Sequence, residues 1–338
     1  MNFLPISGQR VVPPSGPRDA KIVLVGEAPG SYENFQLKPF VGPAGSILEQ
    51  CLHSAGLIRS EVYLTNVVKV QPKSNLIDPY FSATKGTFTA LGLEWVEKLY
   101  DELNELEPNI LIACGSTALS ALCGISRILK FRGYLFPPVE RITCAEKVLP
   151  IIHPSASLRG QYSYRYLIST DLKKAKHESL THELKRPERQ LVYEFSDIHE
   201  VLEWLNYFTE AAIVSFDIEV LNYEVACIAF SDRPDIACSI PIAGRWTLEE
   251  EVQIWLGIQR VLGNPLSVKV AQNAIFDIQF LLSRCGIVVR GPIHDTMILH
   301  SIMYPDLPKS LGFLGSVYCG SQSYWKDSVK FTNIKVDS

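Results

Sequence analysis

"KIVLVGEAPGSYENFQLKPFVGPAG", Lys21 to Gly45, decides how the first half of this chain reads. It opens with the apolar, largely β-branched run Ile22 to Val25 and passes into a turn rich in glycine and proline. Pro43 then marks a helix start, because proline is tolerated in the first helical turn. Strand, glycine turn and helix together form a common cradle for a phosphate group. The two standard nucleotide fingerprints are absent, however. The stretch holds neither G-x-G-x-x-G nor G-x-x-x-x-G-K-[ST], so dinucleotide and P-loop binding have no direct support.

Working outward, apolar runs at 21–28, 62–70, 109–115 and 147–154 alternate with helical patterns at 43–56, 90–107 and 116–124. Such alternation predicts an α/β domain with a mostly parallel sheet covered by helices. In such sheets ligands bind beyond the carboxyl ends of the strands. The turn after "IVLVG", Asn66 after "YLT" and His153 after "LPII" all fall at strand ends, so they are expected to converge on one cleft. A helical segment follows at 163–180, then "HELKRPERQ" at 182–190, charged and broken by Pro187. This reads as a joint between a domain at 1–181 and a second at 191–338. The second domain begins with a helix at 197–209 and a strand series, "AAIVSFDIEV", "VACIAFSD" and "DIACSIPI", that resembles an antiparallel meander. No internal repeat is detectable.

Bulk properties narrow the class. The chain has 338 residues, 47% hydrophobic and 20% charged, which suits a soluble globular protein of two domains. No run of 18 apolar residues exists, and the start lacks a signal-peptide layout, so a cytoplasmic protein without a membrane partner is expected. The eight cysteines form no C-x-x-C pair, so neither a disulfide framework nor a zinc site is expected. Net charge is −4, yet residues 1–189 carry 22 Lys and Arg against 18 Asp and Glu, while the remainder carries 10 against 18. A mildly basic half followed by an acidic half points to two tasks.

The motifs "GEAPG" (26–30), "PFVGPAG" (39–45), "LTNVVK" (64–69) and "HPS" (153–155) resemble, in order and spacing, the uracil-DNA glycosylase superfamily, in particular its family 4 branch. The resemblance spans about 20–175 and implies a three-layer α/β/α fold. It implies that DNA is the partner and that uracil is everted from the stack, at a cost of a few kcal/mol. By resemblance Phe40 is the stacking platform, Asn66 reads the O4 and N3–H edge of uracil, and Gly26 and Ala28 line the base pocket. His153 stabilises the anionic leaving base, as a preorganised donor would. Better-known members of the superfamily carry an aspartate for the attacking water where this chain has Ala28, which leaves Glu27 beside it as the candidate assistant. Ser155, Leu158 and Arg159 are expected to meet DNA, Leu158 or Arg159 as a wedge. Arg165, Lys173, Lys174 and Lys176 are further candidates for phosphate contact. Family 4 members usually hold an iron–sulfur cluster on four cysteines. Here the first cysteine is Cys51 and Val70 replaces another ligand, so no cluster is expected.

In the second half, "FDIE" sets Asp217 and Glu219 two apart on one strand, and hence on one face. "NAIFD" follows with Asn273 and Asp277, then "HDT" at 294–296. These motifs resemble the 3′–5′ exonuclease domain of family A DNA polymerases, a DEDD nuclease with an RNase H-like α/β fold and a mixed sheet. The resemblance implies two divalent ions, Mg²⁺ or Mn²⁺, held by Asp217, Glu219 and Asp277, with Asn273 near DNA. A carboxylate pair inside an apolar strand is also expected to be buried and so to need metal. The family's fourth carboxylate, in a Y-x-x-x-D, has no counterpart. Tyr318 and Tyr324 lead to Gln322 and Ser328, and Asp327 and Asp337 are poor substitutes. The second domain therefore reads as C-terminally incomplete and its nuclease as weak or inactive. The whole reads as a DNA repair or replication protein, with a downstream polymerase domain or other replication proteins, such as a phage's, as partners. Three readings of the first domain stay open: hydrolytic excision of uracil, a silent sensor that holds uracil-containing DNA, and a DNA-docking platform for an exonuclease that is the main activity.

Overall fold

The computed structural model describes residues 10–186 and 188–319. Two units are resolved, one made of residues up to Arg186 together with those from Gly312, the other running from Pro187 to Leu311.

The first unit contains β1 (Ile22–Gly26), α1 (Ser31–Gln36), α2 (Pro43–Ser54), β2 (Val62–Asn66) and a small hairpin of β3 (Phe81–Ser82) and β4 (Thr87–Phe88). It continues with α3 (Ala90–Asn104), β5 (Ile110–Cys114), α4 (Ser116–Cys123), α5 (Ile128–Phe131), β6 (Val148–Ile151), α6 (Ser155–Leu158) and α7 (Tyr164–Glu178). The four long strands form a parallel sheet in the order β2-β1-β5-β6. Every residue of these strands is buried, as expected of a sheet covered on both faces. Gly26 pairs with Asn66 and Cys114 with Ile151, so the carboxyl ends of β1, β2, β5 and β6 lie level at one end of the sheet. That end carries the glycine turn, Asn66, Gly115 and His153.

The expected elements fall within two or three residues of their predicted helix bounds, while the strands are trimmed to the paired residues. Several elements were not legible, among them α5, α6 and two in loops. Ser31–Gln36 coils into α1 within the glycine turn, and 81–88 folds into the β3–β4 hairpin.

The second unit contains β7 (Gln190–Val192), α8 (Ile198–Thr209), β8 (Ile213–Leu221), β9 (Glu224–Arg233), β10 (Ile236–Pro241) and α9 (Leu248–Gly263). Then come β11 (Val268–Ala271), α10 (Ala274–Cys285), β12 (Ile293–Asp295) and α11 (Thr296–Met303). Its sheet is mixed, in the order β12-β11-β8-β9-β10-β7. β8, β9 and β10 form the predicted antiparallel meander, and β11, β12 and β7 join in parallel. The chain between the domains is not simply a joint, since Gln190 already pairs with β10 through Ile236.

Most of α12 (Leu311–Tyr318) groups with the first unit. Arg132 and Asp171 form a buried, paired contact there, and Arg132 also donates to Ser316 Oγ at 2.8 Å. Lys174 donates to the carbonyls of Gly133, Ser316 and Cys319. That engagement removes Lys174 from the residues expected to reach phosphate. Lys176 is likewise held on Gly56 O, at 2.7 Å.

Candidate functional site

A cleft of about 350 Å³ opens at the carboxyl ends of the first sheet. Its walls include Glu27, Ala28, Glu33, Phe40, Asn66 and His153, with Ser155 and Leu158 at one side and Pro72 and Asn75 at the other. Segments far apart in sequence meet there because each leaves a parallel strand at the same level.

Glycine is what leaves room. A Cβ built on Gly26 would lie 2.4 Å from Asn66 Oδ1 and 2.5 Å from Phe40 Cζ, so both side chains close directly over the bare backbone. Phe40 is 6% exposed and adopts φ 53°, a left-handed conformation uncommon outside glycine and asparagine. Its carbonyl sits against Gly45, where a Cβ would approach to 2.0 Å. The Phe40 and His153 ring centroids are 6.1 Å apart with planes tilted by 31°.

His153 follows β6 directly. Ser155 Oγ lies 2.8 Å from its Nδ1, and the backbone N–H of Ser155 donates to the same nitrogen at 3.2 Å. A backbone amide can only donate, so Nδ1 is the acceptor and the ring proton resides on Nε2. Burial pushes the imidazole pKa down to about 4, and the charge of Arg159 pushes in the same direction against an opposing pull from Glu33. The ring is thus neutral near pH 7 and offers one N–H.

Asn66 ends β2 and is 6% exposed. The buried ammonium of Lys69 donates to Asn66 O at 2.7 Å and to Thr65 Oγ1. The same ammonium lies 2.7 Å from Glu102, which also accepts from Tyr63. Burial lowers the Lys69 pKa and the Glu102 carboxylate counters it. The lysine of "LTNVVK" is therefore a brace beneath Asn66 rather than a group facing DNA.

Glu27 lines the cleft with its carboxylate accepting from Thr117 Oγ1 at 2.5 Å. Gly115, at φ 95°, lets the chain turn from β5 into α4 with His153 packed close against it. Leu158 is 51% exposed at the end of α6, placed as a protruding apolar residue.

The sequence reading missed Glu33 and Asn75. Glu33 sits in α1, an element too short to show in the pattern. Asn75 and Ser74 both take φ 56°, and Asn75 accepts from Gln71 Nε2 at 2.9 Å. Two successive left-handed residues at a cleft mouth are a backbone feature that residue type alone does not announce.

In the second unit, Asp217 and Glu219 lie on β8 and alternate with buried Phe216 and Ile218. Both carboxylates are exposed, which corrects the expectation that the pair is buried in an apolar strand. The period of two turns them outward while their neighbours enter the core. The buried carboxylates are Asp277, 4% exposed, and Asp295, 8% exposed. Asp277 accepts from the N–H of Ile218 at 3.1 Å, which joins α10 to β8. Burial raises its pKa, and the charges of Glu219 and Asp295 add to the rise. Asp295 is fully committed: it accepts from the amides of Asn273 and Ala274 and caps α11 through Met297 and Ile298. Asn273 takes φ 61° as the residue before α10.

The hard oxygen donors of Asp217, Glu219 and Asp277 fit a divalent ion in kind. They do not fit in number: among the described residues no three acidic, histidine or cysteine side chains converge as a metal set. Tyr324, Asp327 and Asp337 lie outside the described residues.

Known proteins match the chain in two blocks. Residues 13–178 match the family model described as the uracil DNA glycosylase superfamily, and residues 193–332 match one described as a 3′-5′ exonuclease. A type-4 uracil-DNA glycosylase of Thermotoga maritima is 34% identical over 177 residues, covering 51% of this chain and 85% of that protein. The type-4 enzyme of Archaeoglobus fulgidus is 36% identical over 173 residues, covering 48% and 79%. A DNA polymerase of Bacillus phage SP01 is 27% identical over 341 residues, covering 90% of this chain but only 34% of that protein. Among solved structures, the EXO domain of Aedes aegypti Nibbler aligns with 15% identity and a TM-score of 0.33, covering 42% of this chain and 72% of that one.

Proposed function

This chain belongs to the uracil DNA glycosylase superfamily, with a 3′–5′ exonuclease-type domain fused behind the glycosylase-type one, and from that premise we propose that the first unit hydrolyses the glycosidic bond of uracil in DNA. The observation that carries the proposal is the neutral His153, tautomerically fixed, facing Phe40 in the same cleft as Asn66.

The chemistry follows from these groups. An everted uracil stacks on Phe40, which returns about 1–3 kcal/mol of the cost of leaving the helix. Asn66 offers one acceptor and one donor to the N3–H and O4 edge, a pattern that cytosine does not match. As the N1–C1′ bond breaks, its electron pair stays with the base and negative charge builds on O2. His153 Nε2–H donates to that oxygen, and a neutral donor costs no proton transfer. Water adds at C1′ of the oxocarbenium-like sugar. Glu27, which lines the cleft, would orient it, because Ala28 has no polar side chain. Ser155, Leu158 and Arg159 would meet the strand, Leu158 filling the vacated stack.

The second unit is proposed as a metal-dependent exonuclease module on DNA. Asp217, Glu219 and Asp277 are the carboxylates it would offer to Mg²⁺ or Mn²⁺, which when bound would supply an activated water and charge stabilisation. Asn273 would face the strand. The described residues do not complete the ligand set, so no step is assigned to this unit. A downstream polymerase domain or other replication proteins, acting with it in a cytoplasm, complete the reading.

A second reading has one observation in its favour. Glu27 is held by Thr117, so a cleft that binds uracil without cleaving it is consistent with this contact. An end-labelled oligonucleotide with one uracil, incubated in EDTA and then treated with alkali, separates the two. A single cut at uracil supports excision. Tight binding without a cut supports the sensor and refutes the enzyme.

A further inference from the structure

Glu33 makes a contact set that the assigned roles do not use. It sits in the first turn of α1, and its carboxylate accepts from Gly30 N–H at 3.1 Å, an ordinary capping interaction. It then reaches eight and nine residues onward, accepting from Val41 N–H at 3.0 Å and Gly42 N–H at 2.8 Å. Gly42 is the residue that opens α2. One carboxylate therefore fastens the starts of two helices, and Phe40 is carried on the loop between them.

The surroundings are built for that carboxylate. A Cβ on Gly30 would lie 2.9 Å from Glu33 Oε2, and one on Gly42 would lie 3.1 Å from Oε1. Any side chain at either glycine would crowd it. Phe40 itself holds φ 53°, a conformation a phenylalanine leaves unless its surroundings over-determine it. The two amides directly after Phe40 are the ones Glu33 binds. On the far side of the loop, Arg59 donates to Pro39 O at 2.8 Å. The loop is pinned on both flanks of the aromatic ring.

We propose that Glu33 is a positioning residue for base recognition: by binding the amides of Val41 and Gly42 it holds Phe40 in its left-handed conformation, against His153, where the everted base stacks. This rests on the reading of the cleft as a uracil pocket. Glu33 acts through Phe40 and through no contact of its own with the base. The substitution Glu33→Gln keeps one oxygen for Val41 and Gly42 but turns an NH₂ group toward the Gly30 N–H, so it is a partial replacement.

The test uses the full chain with Glu33→Ala, Glu33→Gln, Phe40→Ala and the Glu33→Ala/Phe40→Ala double variant. Excision from a uracil oligonucleotide in EDTA gives kcat/KM, and hydrogen exchange follows the Val41 and Gly42 amides. A displaced stacking group is expected to lower kcat/KM about 10²-fold in Glu33→Ala, and Glu33→Gln should retain about a tenth of wild-type activity. In the Phe40→Ala background the Glu33→Ala change should cost less than about threefold, because the two act as one unit. The Val41 and Gly42 amides should lose protection in Glu33→Ala. Full additivity with Phe40→Ala, or unchanged exchange at both amides, overturns the proposal. A wild-type chain that excises nothing sinks the excision reading instead, and the exchange data still decide whether Glu33 holds the loop.

Discussion

Replacing His153 by alanine is the perturbation whose outcome the structure fixes most tightly. The imidazole pKa is held at about 4, so at pH 7 only about one ring in a thousand carries a proton. The Ser155 amide assigns the remaining proton to Nε2. In the proposed mechanism His153 is a neutral hydrogen-bond donor to the developing uracil anion. Losing one such donor costs about 2.7–4 kcal/mol of transition-state stabilisation, which is about 10²–10³ in rate. The assay is single-turnover excision from the end-labelled uracil strand in EDTA, followed by alkaline cleavage. His153→Ala should be slower by that factor, and the wild-type rate should stay level from pH 6 to pH 8. The linkage to stability has a definite sign. The folded-state pKa lies below that of a free imidazole, so stability is complete above about pH 6.5 and is lost as pH falls toward 4. A rate that falls with a midpoint near pH 6.5 as pH rises would mean that imidazolium is the working form. That result, or a His153→Ala chain within threefold of wild type, would refute the argument.

Gly26→Ala should close the pocket, since the new methyl group would sit 2.4 Å from Asn66 Oδ1. Excision falls at least about 10²-fold while helical circular dichroism is retained. Lys69→Met leaves Glu102 buried without its cation and should lower unfolding stability by about 3–5 kcal/mol, read by urea titration. Glu102→Gln in the same chain should recover part of that loss. Asp217→Ala should abolish any trimming of a 3′ end that depends on added Mg²⁺ or Mn²⁺ and leave uracil excision in EDTA at the wild-type rate. Loss of both activities would mean that the two units do not work independently.

Much of the fold was legible because it rests on short-range rules. Four β-branched runs separated by helical patterns permit little besides a parallel sheet with covering helices, and the level strand ends place the glycine turn, Asn66 and His153 together. The antiparallel meander and the shared face of Asp217 and Glu219 follow from a period of two. What sequence could not supply was the burial of individual carboxylates. "VSFDIE" sets its carboxylates among apolar residues, yet only its alternate residues enter the core, whereas Asp277 is buried because α10 docks its first turn on β8.

The residue types therefore determined the chemistry on offer: an aromatic platform, an amide, an imidazole and a set of carboxylates in a fixed order along the chain. Tertiary structure decided which of them act and in what state. His153 is neutral because folding removes it from water and aims a backbone amide at Nδ1. Lys69 faces inward because Glu102, on α3, waits there for it. Glu33, unremarked in the sequence, gains its three amides only when the ends of two helices come within reach of one carboxylate. Protonation states and hydrogen-bond partners depend on neighbours distant in sequence, and those neighbours exist only once the chain has folded.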